Sequence, residues 1–208
     1  MPAPDRDLRI FAATKNAGKL RELRALFAPW GWRLEAYREY ADVVEGTVSY
    51  SDNAALKARA LRGQLVAAGM SGAVLGDDSG LEVAALSGRP GVLSARYGGA
   101  AASWPERRRA LLAELEASGS SDRHARFVCA LHLIGESGDE FAVECDVKGV
   151  MAPAERGDAG FSYDAIFEYP PLGQTFAQLS EEEKNAVSHR GRAVRALVEM
   201  VSADIPKQ

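Results

Sequence analysis

Apolar positions change period several times along this chain, and each change marks an element. Leu8-Arg9-Ile10-Phe11-Ala12-Ala13 predicts a first strand. Leu20, Leu23, Leu26 and Phe27 then recur at helical spacing until Pro29, and Trp32, Leu34 and Ala36 alternate like a second strand. Ser49 to Asp52 has the spacing of a helix cap, and Ala54, Ala58, Leu61 and Leu65 share one face of the helix that follows. Ala73-Val74-Leu75 and Leu81-Glu82-Val83 read as two short strand-like pieces on either side of an acidic turn. The segment Ser87 to Gly99 is too rich in Gly and Pro for regular structure and reads as a long loop. Ser103-Trp104-Pro105-Glu106 opens another helix, with Leu111, Leu112 and Leu115 as its buried stripe and Arg107-Arg108-Arg109 as its solvated face.

Phe127, Cys129, Leu131 and Leu133 alternate, residues 135–139 turn, and Phe141, Val143, Cys145 and Val147 alternate back, which predicts an antiparallel hairpin. His132 falls on the other side from Phe127 and Leu131 and reads as structural. Ser180 to Glu183 forms a capping box, and Val194, Leu197, Val198 and Val201 close the chain with an amphipathic helix.

Composition narrows the classes of function. A chain of 208 residues can build one sizeable core, or one domain in two lobes. A net charge of −4 and a pI near 5.5 argue against nucleic acid or an anionic membrane as main partner, yet leave room for a local basic pocket. No stretch approaches the ~18 unbroken apolar residues of a membrane span, and the N-terminus lacks the apolar core of a secretory signal. Cys129 and Cys145 suggest neither a disulfide framework nor a CxxC site, but buried free thiols in a reducing cytoplasm.

Chemistry concentrates in four places. In Gly76-Asp77-Asp78-Ser79-Gly80, neighbouring carboxylates repel and need a compensating cation or shared proton; an acidic turn with Asp caps is the plainer reading. Thr14-Lys15-Asn16-Ala17-Gly18-Lys19 joins a strand to a helix, where backbone N–H groups and the helix dipole suit a phosphate, or it is simply a solvated lysine-bearing turn. It is no Walker A loop, since Ala13 and Leu20 stand where that motif has Gly and Ser/Thr. Lys57 lies off the buried face of its helix, so it is either solvated or aimed into a cleft. Phe161 and Tyr163 beside Asp164 suit a stacked heterocycle, or simply packing under a loop.

Five motifs occur in one order: Thr14-x-Asn16-x-x-Lys19, Gly76 to Leu81, Gly88-x-Pro90-Gly91-Val92-x-Ser94-Ala95-Arg96, Gly160-Phe161-x-Tyr163-Asp164, and Glu183-Lys184-x-Ala186-x-Ser188-His189-Arg190. Together they resemble the pyrophosphatases of noncanonical purine nucleoside triphosphates, the inosine triphosphatase (ITPase) family, over residues from about 8 to 200. The resemblance implies an α/β, two-lobed ITPase-like fold with a long central mixed β-sheet flanked by helices and an active-site cleft between the lobes. On that reading residues 1–208 form a single domain, with flexible ends over 1–7 and 203–208. It also implies a cytoplasmic homodimer that uses Mg2+ and cleaves dITP, ITP or XTP to the monophosphate and pyrophosphate.

By family match Asp78 is the general base and a metal ligand, with Glu45 as the second ligand and Asp77 as a further candidate; Asp42 is a weaker substitute for Glu45. The resemblance assigns substrate binding to Thr14, Lys15, Asn16, Ala17, Gly18, Lys19, Lys57 and Ser79, and base choice to Phe161, Ser162, Tyr163, Asp164, Lys184, His189 and Arg190. A donor such as Arg190 suits the 6-oxo group of hypoxanthine or xanthine and meets the 6-amino group of adenine donor to donor. The chain departs from the family pattern at Ser162 for glycine, Ala165 for proline and Ala84 for an acidic residue, and Gly46 to Asn53 is a loose version of a motif with Gly, Thr-Phe and Glu-Asn.

Overall fold

The computed structural model describes residues 8–99 and 101–204. The strands are β1 (Arg9–Ala12), β2 (Arg33–Ala36), β3 (Ala73–Val83), β4 (Pro90–Gly91), β5 (His124–Ile134), β6 (Glu140–Met151), β7 (Phe167–Tyr169) and β8 (Gln174–Thr175). The helices are α1 (Ala17–Phe27), α2 (Tyr50–Ala67), α3 (Trp104–Ala117), α4 (Glu181–Val187) and α5 (His189–Asp204). The expected flexible ends at 1–7 and 205–208 lie outside the described residues, while Ala203 and Asp204 form the last turn of α5.

The strands make one mixed eight-stranded sheet in the order β2-β1-β3-β5-β6-β7-β8, with β4 paired to β3. β1 lies parallel to β2 and to β3, and β7 is antiparallel to both β6 and β8. β5 and β6 are neighbours joined by residues 135–139, a link too short for a parallel crossover. The expected hairpin is therefore present. The acidic turn is not: Asp77 and Asp78 lie inside the continuous strand β3. Gly76 made the segment look like a turn, but its missing side chain serves packing instead. A Cβ there would sit 1.9 Å from the Ala54 carbonyl oxygen, so only glycine lets α2 press its backbone onto the strand.

Two further expectations change. Pro90–Gly91, inside the expected loop, pairs with β3, and Ser94 tethers the turn behind it by accepting from the Leu81 N–H at 2.8 Å and donating to the Gly91 carbonyl at 2.6 Å. The arginine run on α3 is not a uniformly solvated face. Arg107 is buried and donates to the Gly99 carbonyl; Arg108 donates to the Ser162 carbonyl at 2.8 Å and pairs with Glu155; Arg109 alone of the three is exposed.

The chain divides into two compact units. The first comprises the chain through Asp78, Cys129–Cys145 and the residues from Arg190 on. Strand alternation gives it two cores. Ile10, Ala12, Ala73 and Leu75 face Leu23, Phe27, Val194 and Leu197, whereas Phe11, Ala13 and Val74 face Ala58, Leu61 and Leu65. α1 and α5 thus cover one side of its strands and α2 the other. The second unit comprises Ser79–Val128 and Asp146–His189, around a core of Leu81, Val83, Leu111, Phe127, Phe167 and Phe176. Among the described residues, no helix is long and apolar enough to cross a membrane.

Candidate active site

β1 pairs with β3 as far as Ala12 opposite Leu75, and the Thr14–Asn16 loop then leads into α1. Asp77 and Asp78 follow immediately on β3, beyond the carboxyl end of β1, a position where open α/β sheets commonly place ligands. Alternation sends their side chains to opposite sides.

Asp77 points toward the α1/α5 side. Its Oδ1 is ion-paired with Lys19, Arg190 Nε lies 3.5 Å from its Oδ2, and the Cys129 thiol donates to Oδ2 at 3.5 Å. Arg190 is in turn ion-paired with Glu22. Asp77, Arg190 and Glu22 are all buried. Burial pushes the Asp77 carboxyl up, but Lys19 first and Arg190 next overcome it and hold the group far below the usual carboxylate range. Asp77 is therefore a fixed anion that fastens two cations.

Asp78 points toward α2. Lys57 donates to its Oδ1 at 2.8 Å and Asn53 Nδ2 to its Oδ2 at 3.0 Å, and Lys57 also pairs with Glu45. Burial works against the Lys57 ammonium, but Asp78 and Glu45 outweigh it and raise its pKa. The sequence left Lys57 between solvent and cleft; the structure turns it inward.

Lys19 and Arg190 thus gather on Asp77, with Glu22 behind Arg190, while Lys57 meets both Glu45 and Asp78. No group of three His, Cys, Asp or Glu side chains among the described residues forms a ready-made metal centre. A hard divalent ion needs less: one or two carboxylates, with the remaining positions taken by water and phosphate oxygens. Glu45 and Asp78 already converge on a single positive group, the Lys57 ammonium, so the residues present fit such an ion.

At the start of α1, Asn16 accepts from the Lys19 N–H at 3.1 Å and donates its own N–H to Thr14 Oγ1, which fixes the turn. Ala17 and Gly18 form the first helical turn, and Lys15 pairs with Asp42 at the surface. Of the two acids weighed as the metal residue, Asp42 is thus bonded to Lys15, and Glu45 is the one that shares a cation with Asp78.

In the second unit, Asp164 Oδ2 accepts from the Phe161 N–H and from Lys184 Nζ, each at 2.7 Å. The Lys184 ammonium stands 5.1 Å from the centroid of the Phe161 ring, which remains partly exposed. Ser162 has φ of 61°, so the glycine-to-serine departure keeps the left-handed backbone at a steric cost. Tyr163 is fully buried; its hydroxyl donates to the Ser94 carbonyl at 2.9 Å, and burial raises its pKa. His189 stacks on Phe127 with centroids 4.7 Å apart, and Ser79 is half-buried on β3. Arg190, expected among the base-choosing residues, belongs to the Asp77–Glu22 network of the first unit.

Sequence reasoning did not single out Glu22, Asn53 or Arg108 as contributors. Glu22 and Asn53 are polar residues buried in helices, a signal that strand and helix periodicity could have flagged.

The Ham1 family profile matches residues 10–200. The dITP/XTP pyrophosphatase of Exiguobacterium sp. is 43% identical over 194 residues, 91% of this chain and 95% of that protein. A HAM1 protein from Coxiella burnetii is similar in structure, with a TM-score of 0.82 and 36% identity over 94% of this chain and 99% of that one. A nucleoside-triphosphatase / dITP/XTP pyrophosphatase from Mycobacterium abscessus has a TM-score of 0.68 and 41% identity, over 92% and 99% of the two chains. The matched span takes in both carboxylates of β3 and the charged groups that meet them, and this chain belongs to the Ham1 family.

Proposed function

We propose that this chain hydrolyses dITP and XTP, together with ITP, to the monophosphate and pyrophosphate, acting as a homodimer on the cytoplasmic nucleotide pool. The observation that carries the reading is Asp78: a buried carboxylate oriented by Lys57 and Asn53, one residue from the anion that fastens Lys19. A family in which relatives at about 43% identity bear that activity in their names supports the substrate class.

Asp78 takes the proton of a water whose oxygen attacks the α-phosphorus, and the bond from that phosphorus to the bridging oxygen breaks as pyrophosphate leaves. Lys57 and Lys19 offer positive charge to the phosphates, and the Thr14–Asn16 turn directs the N–H groups that open α1 toward the same anion. Glu45 and Asp78 would hold a magnesium ion, which would supply charge neutralisation for the phosphates and make a nearby water more acidic.

In the second unit, Phe161 offers a ring for stacking and Lys184 a donor for a 6-oxo group. Adenine presents an amino group there and is disfavoured. Guanine shares the 6-oxo group, so its rejection falls on the 2-amino group; a site that leaves a buried donor unpaired can discriminate by about 10⁴-fold. Ser162, Tyr163, Asp164 and His189 belong to the same unit and support this base-reading role.

Steady-state hydrolysis of dITP, XTP, dGTP and dATP, with and without magnesium, tests the reading. Magnesium-dependent release of pyrophosphate from dITP and XTP, far faster than from dGTP and dATP, is expected. Orthophosphate as product, or binding without turnover, would overturn it.

A further inference from the structure

Glu45 lies in a stretch without regular structure between β2 and α2, so something outside that stretch must fix its distance from Asp78. Helix α2 supplies two carboxamides that grip it. Gln64 Oε1 accepts from the Ala41 N–H and Gln64 Nε2 donates to the Ala41 carbonyl, both at 2.9 Å. About three turns nearer the start of the same helix, Asn53 Oδ1 accepts from the Gly46 N–H at 2.8 Å and Asn53 Nδ2 donates to the Gly46 carbonyl at 3.2 Å. Each clamp satisfies both polar groups of one peptide residue, as a strand partner would.

The two clamps differ in one respect. Asn53 Nδ2 also donates to Asp78 Oδ2 at 3.0 Å, so both of its amide protons are in use and Asn53 is buried. Among the described residues, Gln64 bonds the Ala41 peptide and no carboxylate of the cluster. Lys57 joins the Glu45 and Asp78 side chains, and among the described residues Asn53 is the side chain bonded both to the backbone of the residue after Glu45 and to Asp78, so its planar amide ties that loop's backbone to the carboxylate.

We propose that Asn53 is a positioning residue that holds the Glu45 loop and the Asp78 carboxylate in register for phosphate cleavage; the inference rests on the proposed pyrophosphatase reading of Asp78. Groups that orient a metal-binding or catalytic carboxylate commonly contribute about 10- to 100-fold to activity or metal affinity.

The test compares Asn53→Ala with Gln64→Ala in the full chain. Turnover of dITP is measured across a magnesium titration, thermal unfolding is followed in parallel, and amide hydrogen exchange is read at Gly46 and Ala41. Asn53→Ala is expected to lower kcat about 10- to 100-fold and to raise the half-saturating magnesium concentration several-fold, with faster exchange at Gly46. Gln64→Ala is expected to quicken exchange at Ala41 while leaving kcat and the magnesium midpoint within about threefold, since it leaves Asp78 untouched. Loss of folded enzyme lowers the rate at every magnesium level without moving the midpoint, so a drop in kcat with a fixed midpoint would overturn the positioning role. So would equal effects of the two variants. If wild type does not hydrolyse dITP, the pyrophosphatase reading itself falls, and the role assigned to Asn53 falls with it.

Discussion

Asp77 and Asp78 are adjacent in β3, yet their carboxylates bind different cations on opposite sides of the strand: Lys19 and Arg190 for Asp77, Lys57 for Asp78. The pleat that separates them removes the repulsion expected of neighbouring acids. It also divides their work. Asp77 ties α1 and α5 to the strand, whereas Asp78 meets α2 and the Glu45 loop through groups that can exchange partners.

That division gives the two acids different mutant signatures. Asp78→Asn is expected to lower kcat by about 10²- to 10⁴-fold, the usual contribution of a general base. Its cost in stability is smaller, because Lys57 keeps Glu45 and the Asp77 carbonyl at 3.2 Å. Asp77→Asn leaves Lys19 and Arg190 without their shared anion and is expected to destabilise the fold by about 3–5 kcal/mol, the cost of breaking a buried pair. Urea unfolding and dITP turnover on both variants check the contrast.

Acid stability follows from Asp77. Its folded-state pKa lies far below the value of about 3.9 expected in the unfolded chain. A depressed carboxylate contributes stability that is complete above the unfolded value and is lost as pH falls through the folded one. Between about pH 4 and pH 2 the wild-type advantage over Asp77→Asn is therefore expected to shrink, by up to about 1.4 kcal/mol per pH unit. Above pH 5 the difference should stay level. Unfolding free energies measured for both proteins across this range provide the check.

Much of this was legible in the sequence, for reasons specific to each element. Helical spacing placed α1, α2 and α5, and alternation placed β5 and β6, because one side of each is committed to a core. The five ordered motifs pointed to the family; in the structure Lys57 meets both Glu45 and Asp78, while Lys19 pairs with the neighbouring Asp77 across the strand. The strand through Asp77 and Asp78 was missed because glycine beside acids usually signals a turn; here Gly76 admits the α2 backbone. The inward turn of Arg107 and Arg108 was missed because three consecutive arginines look solvated, and the carbonyls they bind come from the chain just ahead of α3 (Gly99) and from a loop far along the sequence (Ser162).

Gly76 yields a test of packing alone. A methyl group at this position would overlap the Ala54 carbonyl oxygen and crowd the Ala58 nitrogen at 2.9 Å, both of them helix backbone that cannot swing aside. Gly76→Ala is expected to destabilise the protein by about 3 kcal/mol or more, at the upper end of overpacking costs. Gly63→Ala serves as a control, since nothing lies within 4 Å of a Cβ there. Replacing a glycine inside a helix usually stabilises by about 0.5–1 kcal/mol, so the two shifts in melting temperature should have opposite signs.

Arg108 offers a means of testing whether the 160–164 loop chooses the base. Its guanidinium joins the Ser162 carbonyl to Glu155, and Ser162 sits in the left-handed region between Phe161 and the buried Tyr163. Losing a charge-assisted bond costs about 1.5–3 kcal/mol, which frees the Ser162 peptide to rotate and shifts the Phe161 ring beside Lys184. Arg108→Ala is therefore expected to lower the ratio of kcat/KM for dITP over dGTP by about tenfold, mostly through KM for dITP. Arg108→Lys keeps the charge but has no planar fork to span both partners, and should fall between the two. Competition assays with both nucleotides measure the ratio. An unchanged ratio in Arg108→Ala, with the melting temperature also unchanged, would show that base choice does not depend on how this loop is held.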